Sequence, residues 1–475
     1  MNDSCLAAPP SARDETVTLD QLAACIDDAA QAVDRLVDAV LAQDSAGHAA
    51  QQAQAELQRE VAQLRHRTEE IATALATDRA CRDFAHASRL HPKSPIVVYA
   101  STFYLGDNVK YAWLDHRQRA ATDGVEVWFL PQTPDQERQI AAAGFPVLPA
   151  HASHWSDSHI RVALSAAVVV TSDHFLHPNP YAPALLAGAR HVQLWHGVSI
   201  KEIGLGNLGH GGNLGPQLAR VLATCGPFAC LTGTSASAES EWRRWFRFER
   251  YACVGYPRND VLYREPTDDD LLNVDLAAYE CARRAREAGR RVLLYAPTFR
   301  DARPGVWLQD AGLDRLADSA ASRGDVLIVN VHPVEQPLMP MLLEKFPRVL
   351  FVAPGSDVYP LLPFTSALVT DYSSMMFDYL HLGKPVVLYR PDDEAYRTQS
   401  RTLMDAKIEG CEPGPLVFDP QSLDAVLARR DLGQDTQHAQ ARGTLLERLF
   451  DHRDGRSAER LWSLLLDEVR HACSH

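Results

Sequence analysis

Three polar clusters in the C-terminal half follow directly on apolar runs. Arg300 comes after Arg291–Ala296, His332 after Asp325–Val331, and Thr370-Asp371-Tyr372-Ser373-Ser374 after Ala367-Leu368-Val369. Short apolar runs bounded by polar turns read as buried strands. In an open parallel sheet the carboxyl ends of such strands share one edge, where ligands bind. The three clusters then surround one crevice. Arg300 offers a permanently charged fork suited to phosphate oxygens. His332 can donate to another oxygen and take part in catalysis. The hydroxyls of Thr370, Ser373 and Ser374, with the backbone N–H groups of the helix expected to follow, form the third side. A helix N-terminus alone contributes roughly 0.3–1 kcal/mol, up to about 2 when partly buried, so cations are required as well. Together these groups suit a pyrophosphate and the charge that develops on a leaving group. Asp378 is placed to hold a ribose or polyol hydroxyl, or to orient Arg300 or His332. Pro297, Thr298 and Lys201 are expected to support the same ligand. A capped helix without a ligand is the alternative for the serine turn, and a solvated carboxylate that for Asp378.

In the N-terminal half the run His191–Trp195 leads into His196-Gly197, with Lys201 four residues beyond the glycine. A histidine with its ordinary pKa near ~6.5 accepts a proton at neutral pH. General-base removal of an acceptor proton contributes about 10²–10⁴ in rate. Gly197 permits close approach of backbone to ligand, which favours a catalytic His196 over a structural one.

The elements that position these residues alternate. Strands are expected at Pro95–Ala100, Val125–Leu130, near Val147, Ala167–Thr171, Ala229–Thr232, Arg291–Ala296, Asp325–Val331, Val349–Val352 and Val386–Tyr389, with helices between them. Alternation of this kind implies two doubly wound parallel sheets, an α/β chain. Residues 240–251 combine aromatics with arginines and read as an amphipathic helix, with a membrane-surface patch as the other reading. Residues 204–216 read as a mobile glycine-rich surface loop without a P-loop or dinucleotide pattern. Gln421 to His475 reads as helical.

Upstream, Leu22, Ile26, Ala29, Val33, Leu36 and Val40 form one heptad seam, and Leu57, Val61, Leu64, Ile71 and Leu75 a second. These predict two amphipathic helices, either packed on the next domain or serving as a dimerising or membrane-organising arm. The expected domains are a helical extension over 1–90, a first Rossmann-like domain over 91–256 that takes the acceptor, and a second over 257–475 that takes the donor and carries the C-terminal helices.

The 475 residues carry a net charge of −14, which argues against general nucleic-acid binding. Half of that charge lies in residues 1–90, with 15 acidic and 8 basic side chains. No apolar run reaches the ~18–20 residues that cross a bilayer. The first residues lack the basic start and apolar stretch of a secretory signal. Nine scattered cysteines without a C-x-x-C pair indicate a reduced, cytoplasmic chain without a zinc site.

Several motifs occur together and in order: W-H-G-V-S-I-K-E-I-G at 195–204, G-Y-P-R-N-D at 255–260, Y-A-P-T-F-R at 295–300, H-P at 332–333, and S-D-V-Y-P-L-L with V-T-D-Y-S-S-M-M-F-D across 356–378. Over about residues 95–400 the chain resembles the CDP-glycerol glycerophosphotransferase family of teichoic acid polymerases and primases. The resemblance implies a GT-B fold, two Rossmann-like domains facing a cleft. It implies His196 as general base, with Arg300, His332, Ser373 and Ser374 on the donor pyrophosphate and Asp378 supporting the donor. It also implies a CDP-glycerol or CDP-ribitol donor, a saccharide or lipid-linked polymer acceptor, and peripheral work at the inner membrane face in teichoic-acid-like or capsular polymer synthesis. No metal or other cofactor is expected. The acidic N-terminal helices and the 204–216 loop have no counterpart in the family pattern. A nucleotide-sugar glycosyltransferase on the same fold, and a non-catalytic scaffold with the N-terminal helices as partner or self-association arm, stay open.

Overall fold

The computed structural model describes residues 31, 33–35, 47–101, 104–207, 224–300, 308, 311–399, 403–404, 407–429, 431–432 and 435–474. The chain divides into two compact units, Met1–Phe84 and Ala85–His475. In the first unit, the second predicted seam falls on a helix that runs from Gly47 to Leu90. Its seam residues Leu64 and Ile71 are exposed. Most of the first seam lies outside the described residues, though Asp34 pairs with Arg65.

The larger unit holds two six-stranded sheets among its described residues. The first comprises β1 Ser94–Ala100, β2 Glu126–Leu130, β3 Ala166–Thr171, β4 Arg190–Gln193, β5 Phe228–Gly233 and β6 Phe248–Cys253. Its order is β2-β1-β3-β4-β5-β6, and every pairing is parallel. The second comprises β7 Val292–Ala296, β8 Val326–Val329, β9 Leu350–Phe351, β10 Ala367–Thr370, β11 Val386–Tyr389 and β12 Leu416–Val417. Its order is β12-β11-β10-β7-β8-β9, again parallel throughout.

Burial on both faces explains why these strands are continuous apolar runs. Along β1, Val97 and Tyr99 enter one core with Val168 and Val170, whereas Val98 and Ala100 enter the opposite core with Val169. The second sheet repeats this alternation, with Leu294, Leu368 and Leu388 on one side and Tyr295, Val369 and Tyr389 on the other. The strand order reverses between β10 and β7 and between β1 and β3. Such switch points leave a crevice at the strands' carboxyl ends. The two sheets present those ends to a common cleft, the GT-B arrangement.

Two elements differ from expectation. Residues 248–253 form edge strand β6, where the aromatic and arginine content suggested helix; pairing with β5 overrides that preference. The C-terminal segment was expected to stay with the second domain. The helix Thr436–Leu449 does, through Leu445. The helix Ser457–Cys473 instead crosses back, and its Leu461, Trp462 and Leu465 join the core of the first sheet. Buried Asp260 fixes that return by accepting from the first two N–H groups, Ser457 at 2.9 Å and Ala458 at 2.8 Å. Among the described residues, no helix is long and apolar enough to cross a membrane.

Candidate active site

A cavity of about 540 Å³ lies where the two sheets' strand ends meet. That volume suits a nucleotide-sized ligand. The first sheet contributes Tyr104 beyond β1 and His196 beyond β4; the second contributes Thr298 beyond β7, His332 beyond β8, and Ser373 and Ser374 beyond β10. Register explains the convergence: Thr370 pairs with Ala296 and Tyr295 with Val329, so the three turns leave the sheet side by side.

His196 stands on a constrained turn. Trp195 adopts φ 55°, a left-handed conformation costly for a bulky residue. Three contacts hold it there. Its N–H donates to Gln193 Oε1 at 2.9 Å, its carbonyl accepts from Asn108 Nδ2 at 2.7 Å, and its indole packs against Phe246. The His196 ring stacks on that indole, with centroids 4.3 Å apart. Nδ1 of His196 lies 3.2 Å from the Ser172 carbonyl. A carbonyl only accepts, so Nδ1 carries the proton and the Nε2 lone pair can take one. Gly197 follows at φ 140°, and a Cβ there would lie 2.8 Å from Arg258 Nη2 and 3.2 Å from Ser374 Oγ. Glycine at this position lets the two halves of the cleft close on each other.

His332 has the opposite tautomer. It caps the turn Pro333–Leu338, with Nδ1 accepting the Val334 N–H at 3.2 Å. Its proton therefore sits on Nε2, suited to donate to a phosphate oxygen. Ser373 Oγ accepts from the Met375 N–H at 3.3 Å. Pro297 and Lys201 also line the cavity, and the Lys201 ammonium sits 5.5 Å from the Tyr396 ring centre.

Four expectations need correction. Arg300 does not line the cavity. The residue is 5% exposed, and its guanidinium forks onto Asp392 through Nε at 2.7 Å and Nη2 at 2.8 Å, reaches Asp371 at 2.9 Å, and donates to the Thr298 carbonyl at 2.6 Å. Asp371 in turn accepts from Thr298 N at 2.9 Å and Thr298 Oγ1 at 2.7 Å. Arg300 thus braces the wall that carries Thr298. Thr370 is fully buried, and its hydroxyl donates to the Ala296 carbonyl at 2.6 Å, tying β10 to β7. Asp378 is likewise fully buried, and it orients neither Arg300 nor His332. It accepts from Arg258 at 2.6 Å, Tyr359 at 2.7 Å and Asn259 at 2.9 Å. Finally, the helix after the serine turn is α-helical only over Met375–Tyr379 before it tightens over Leu380–Leu382. So short a helix carries little dipole for an anion.

Arg258 and Asp107 are the residues that sequence reasoning missed. Arg258 lines the cavity and bridges Asp107 at 2.8 Å and Asp378 at 2.6 Å. Burial pushes the Asp107 carboxyl above its ordinary range, and the Arg258 charge pulls it back. A second buried pair, Lys110 with Asp357 at 2.7 Å, lies nearby, and Tyr111 donates to the same carboxylate. Arg258 sits inside G-Y-P-R-N-D, one of the motifs that carry the resemblance, and Asp107 precedes Asn108 at the start of the helix Asn108–Asp123.

The 240–251 segment is a short helix, Glu239–Trp245, followed by β6 rather than one amphipathic helix. Trp242, Trp245 and Phe246 are buried beside Trp195, and Arg243, Arg244 and Arg250 pair with Glu239, Glu202 and Glu468. Residues 208–216 of the glycine-rich stretch lie outside the described residues. Gly204–Asn207 forms a single tight turn.

Comparison with known proteins agrees with this fold. The family model described as CDP-glycerol:poly(glycerophosphate) glycerophosphotransferase matches residues 85–467. The teichoic acid poly(glycerol phosphate) polymerase of Bacillus spizizenii is 26% identical over 52% of this chain and 62% of its own length. The teichoic acid glycerol-phosphate transferase of Staphylococcus aureus is 27% identical over 57% of this chain and 69% of its own length. A Staphylococcus aureus ribitol-phosphate polymerase is matched over 58% of its length, so the chain spans roughly three-fifths of such polymerases. Among solved structures, a variant of the wall teichoic acid polymerase TagF superposes with a TM-score of 0.63 at 20% identity, covering 87% of this chain and 99% of that one. It shares the fold. The chain belongs to the CDP-glycerol:poly(glycerophosphate) glycerophosphotransferase family.

Proposed function

We propose that this protein transfers polyol phosphate, glycerol phosphate foremost, from a CDP-polyol to a hydroxyl of a saccharide or polyol-phosphate acceptor. The observation that carries the reading is the pair of histidines in one cavity, His196 with its Nε2 lone pair and His332 with its Nε2 proton. A base on one wall and a donor on the other suit in-line displacement at phosphorus. The acceptor oxygen attacks the β-phosphorus and its proton passes to His196 Nε2. The bond from that phosphorus to the oxygen of CMP breaks, and CMP leaves with the electron pair. His332, the hydroxyls of Ser373 and Ser374, and Lys201 stabilise the charge that develops on the phosphate oxygen of the leaving CMP. Arg300 and Asp378 act behind this layer, on Thr298 and Arg258.

The family supports the donor class, and relatives named for both glycerol phosphate and ribitol phosphate leave either polyol as substrate. The product is a phosphodiester of a teichoic-acid-like or capsular polymer. With a lipid-linked acceptor the protein works at the cytoplasmic face of the membrane. Incubation with CDP-glycerol, CDP-ribitol and nucleotide-sugars, each with saccharide and poly(polyol phosphate) acceptors, tests the reading. CMP release from a CDP-polyol alone is expected. Turnover of nucleotide-sugars with none of CDP-polyols would replace it with a glycosyl transfer.

A further inference from the structure

We infer that Asp173 is a positioning residue for His196, held in register by the buried side chain of Gln193. This rests on the general-base reading of His196. Asp173 Oδ1 lies 3.9 Å from His196 Nδ1, on the side of the ring away from the Nε2 lone pair. That carboxylate is oriented by the His174 N–H, which donates to the same Oδ1 at 2.7 Å. The two residues come from different loops, one after β3 and one after β4, and a single amide joins them. Gln193 is fully buried; its Nε2 donates to the Asp173 carbonyl at 3.0 Å while its Oε1 accepts from the Trp195 N–H at 2.9 Å. Trp195 completes the joint, stacked on His196 on one side and meeting the His174 ring at 5.4 Å on the other.

The Ser172 carbonyl fixes the tautomer, and Asp173 supplies charge. When Nε2 accepts the acceptor's proton, the imidazolium forms beside a carboxylate already in place. Coulomb attraction at this separation favours the charged ring without any proton reaching the carboxylate. Other charges face the ring as well: Asp107 from the start of the helix Asn108–Asp123, Arg258 across Gly197, and Lys201 further along its own loop. Arg258 is shared between Asp107 and Asp378, so Asp107 also acts on the ring, and Asp173 adds a second carboxylate on the Nδ1 side.

The test is the pH profile of kcat/KM for CMP release from CDP-glycerol, in wild type, D173N, D173E and H196A. Asparagine keeps the size and the acceptor oxygen for His174 but removes the charge. D173N is expected to lower kcat/KM about 10–100-fold and to move the acidic limb to lower pH, because a ring without its anion protonates less readily. The KM for CDP-glycerol should hold, and D173E should restore most of the rate. An unmoved acidic limb in D173N, with H196A inactive, would overturn this inference and leave the general base standing. Full turnover by H196A would overturn the base assignment itself.

Discussion

Arg258 Nη2 donates to Asp378 Oδ2 at 2.6 Å, and the two residues are 4% and 0% exposed. One stands in the segment joining the two sheets, and the other on the short helix beyond β10. Nη1 of the same guanidinium holds Asp107, at the head of the first sheet's cleft helix, at 2.8 Å. Two carboxylates from opposite sides of the cleft are thus paired through one arginine. Breaking such a pair strands buried charge. Arg258→Ala is expected to destabilise the protein by about 3–5 kcal/mol, read as a lower urea midpoint. Asp378→Asn keeps its hydrogen-bonding shape and should cost less. Equal effects from both would show that charge is not what holds this junction.

Gly197→Ala probes how closely the two walls approach. The added methyl would meet Arg258 Nη2 at 2.8 Å and Ser374 Oγ at 3.2 Å, at a backbone angle that disfavours alanine. A cost of about 1–3 kcal/mol in stability is expected. The rate of CMP release should fall by more than ~10-fold, since small displacements of reacting groups are expensive. An alanine variant with wild-type kcat would show that the contact does not govern the chemistry.

Arg300→Lys tests whether the planar fork braces the Thr298 wall. Lysine keeps the charge but cannot span Asp392 and Asp371 with a planar fork. The donor KM should rise. A donor KM equal to wild type would show that the fork onto Asp392 and Asp371 does not brace the Thr298 wall.

His196→Ala should reduce kcat about 10²–10⁴-fold. CDP-glycerol affinity, measured by calorimetry, should change little, because the base acts on the acceptor. His332→Ala should weaken donor affinity as well as rate, since its Nε2 proton is proposed to go to a phosphate oxygen of the donor.

Stability should fall as the solution is acidified from neutrality. Burial depresses His116, His191 and His381 to about 4 each. Between their ordinary value near ~6.5 and about 4, the unfolded chain binds protons that the folded one refuses, so each histidine lowers stability as pH falls through that window. Asp260 opposes them. Burial raises it to about 6, so below that pH the folded state gains a proton first and is favoured. Asp107, also raised by burial, acts in the same direction. Three histidines against two carboxylates leave the acid-labile direction, and urea midpoints measured from pH 7 to pH 5 should decrease. Replacing His116 by Asn should flatten the slope.

The residues at the strand ends were legible because burial on both faces makes each parallel strand a run such as Ala166–Thr171 or Val292–Ala296, and a polar residue after such a run marks the cleft edge. His196, His332, Ser373 and Ser374 were found in this way. Strand β6 was not, because an edge strand rich in aromatics and arginines has no such run. Arg300 and Arg258 mark the limit. Both are arginines in short motifs next to apolar residues, and nothing local distinguishes them. Which of them lines the cavity depends on where Asp371, Asp392, Asp107 and Asp378 arrive, and those arrivals are set by the pairing of strands and by the closure of one sheet on the other. The return of Ser457–Cys473 to the first sheet is a fact of the same kind, since an amphipathic helix specifies a buried face but not the surface that buries it. The sequence by itself determined the two parallel sheets, the family and the residue types available at their edges. The tertiary structure alone decided which charges are spent on one another and which are left facing the cleft, because a buried charge is assigned by its neighbours in space.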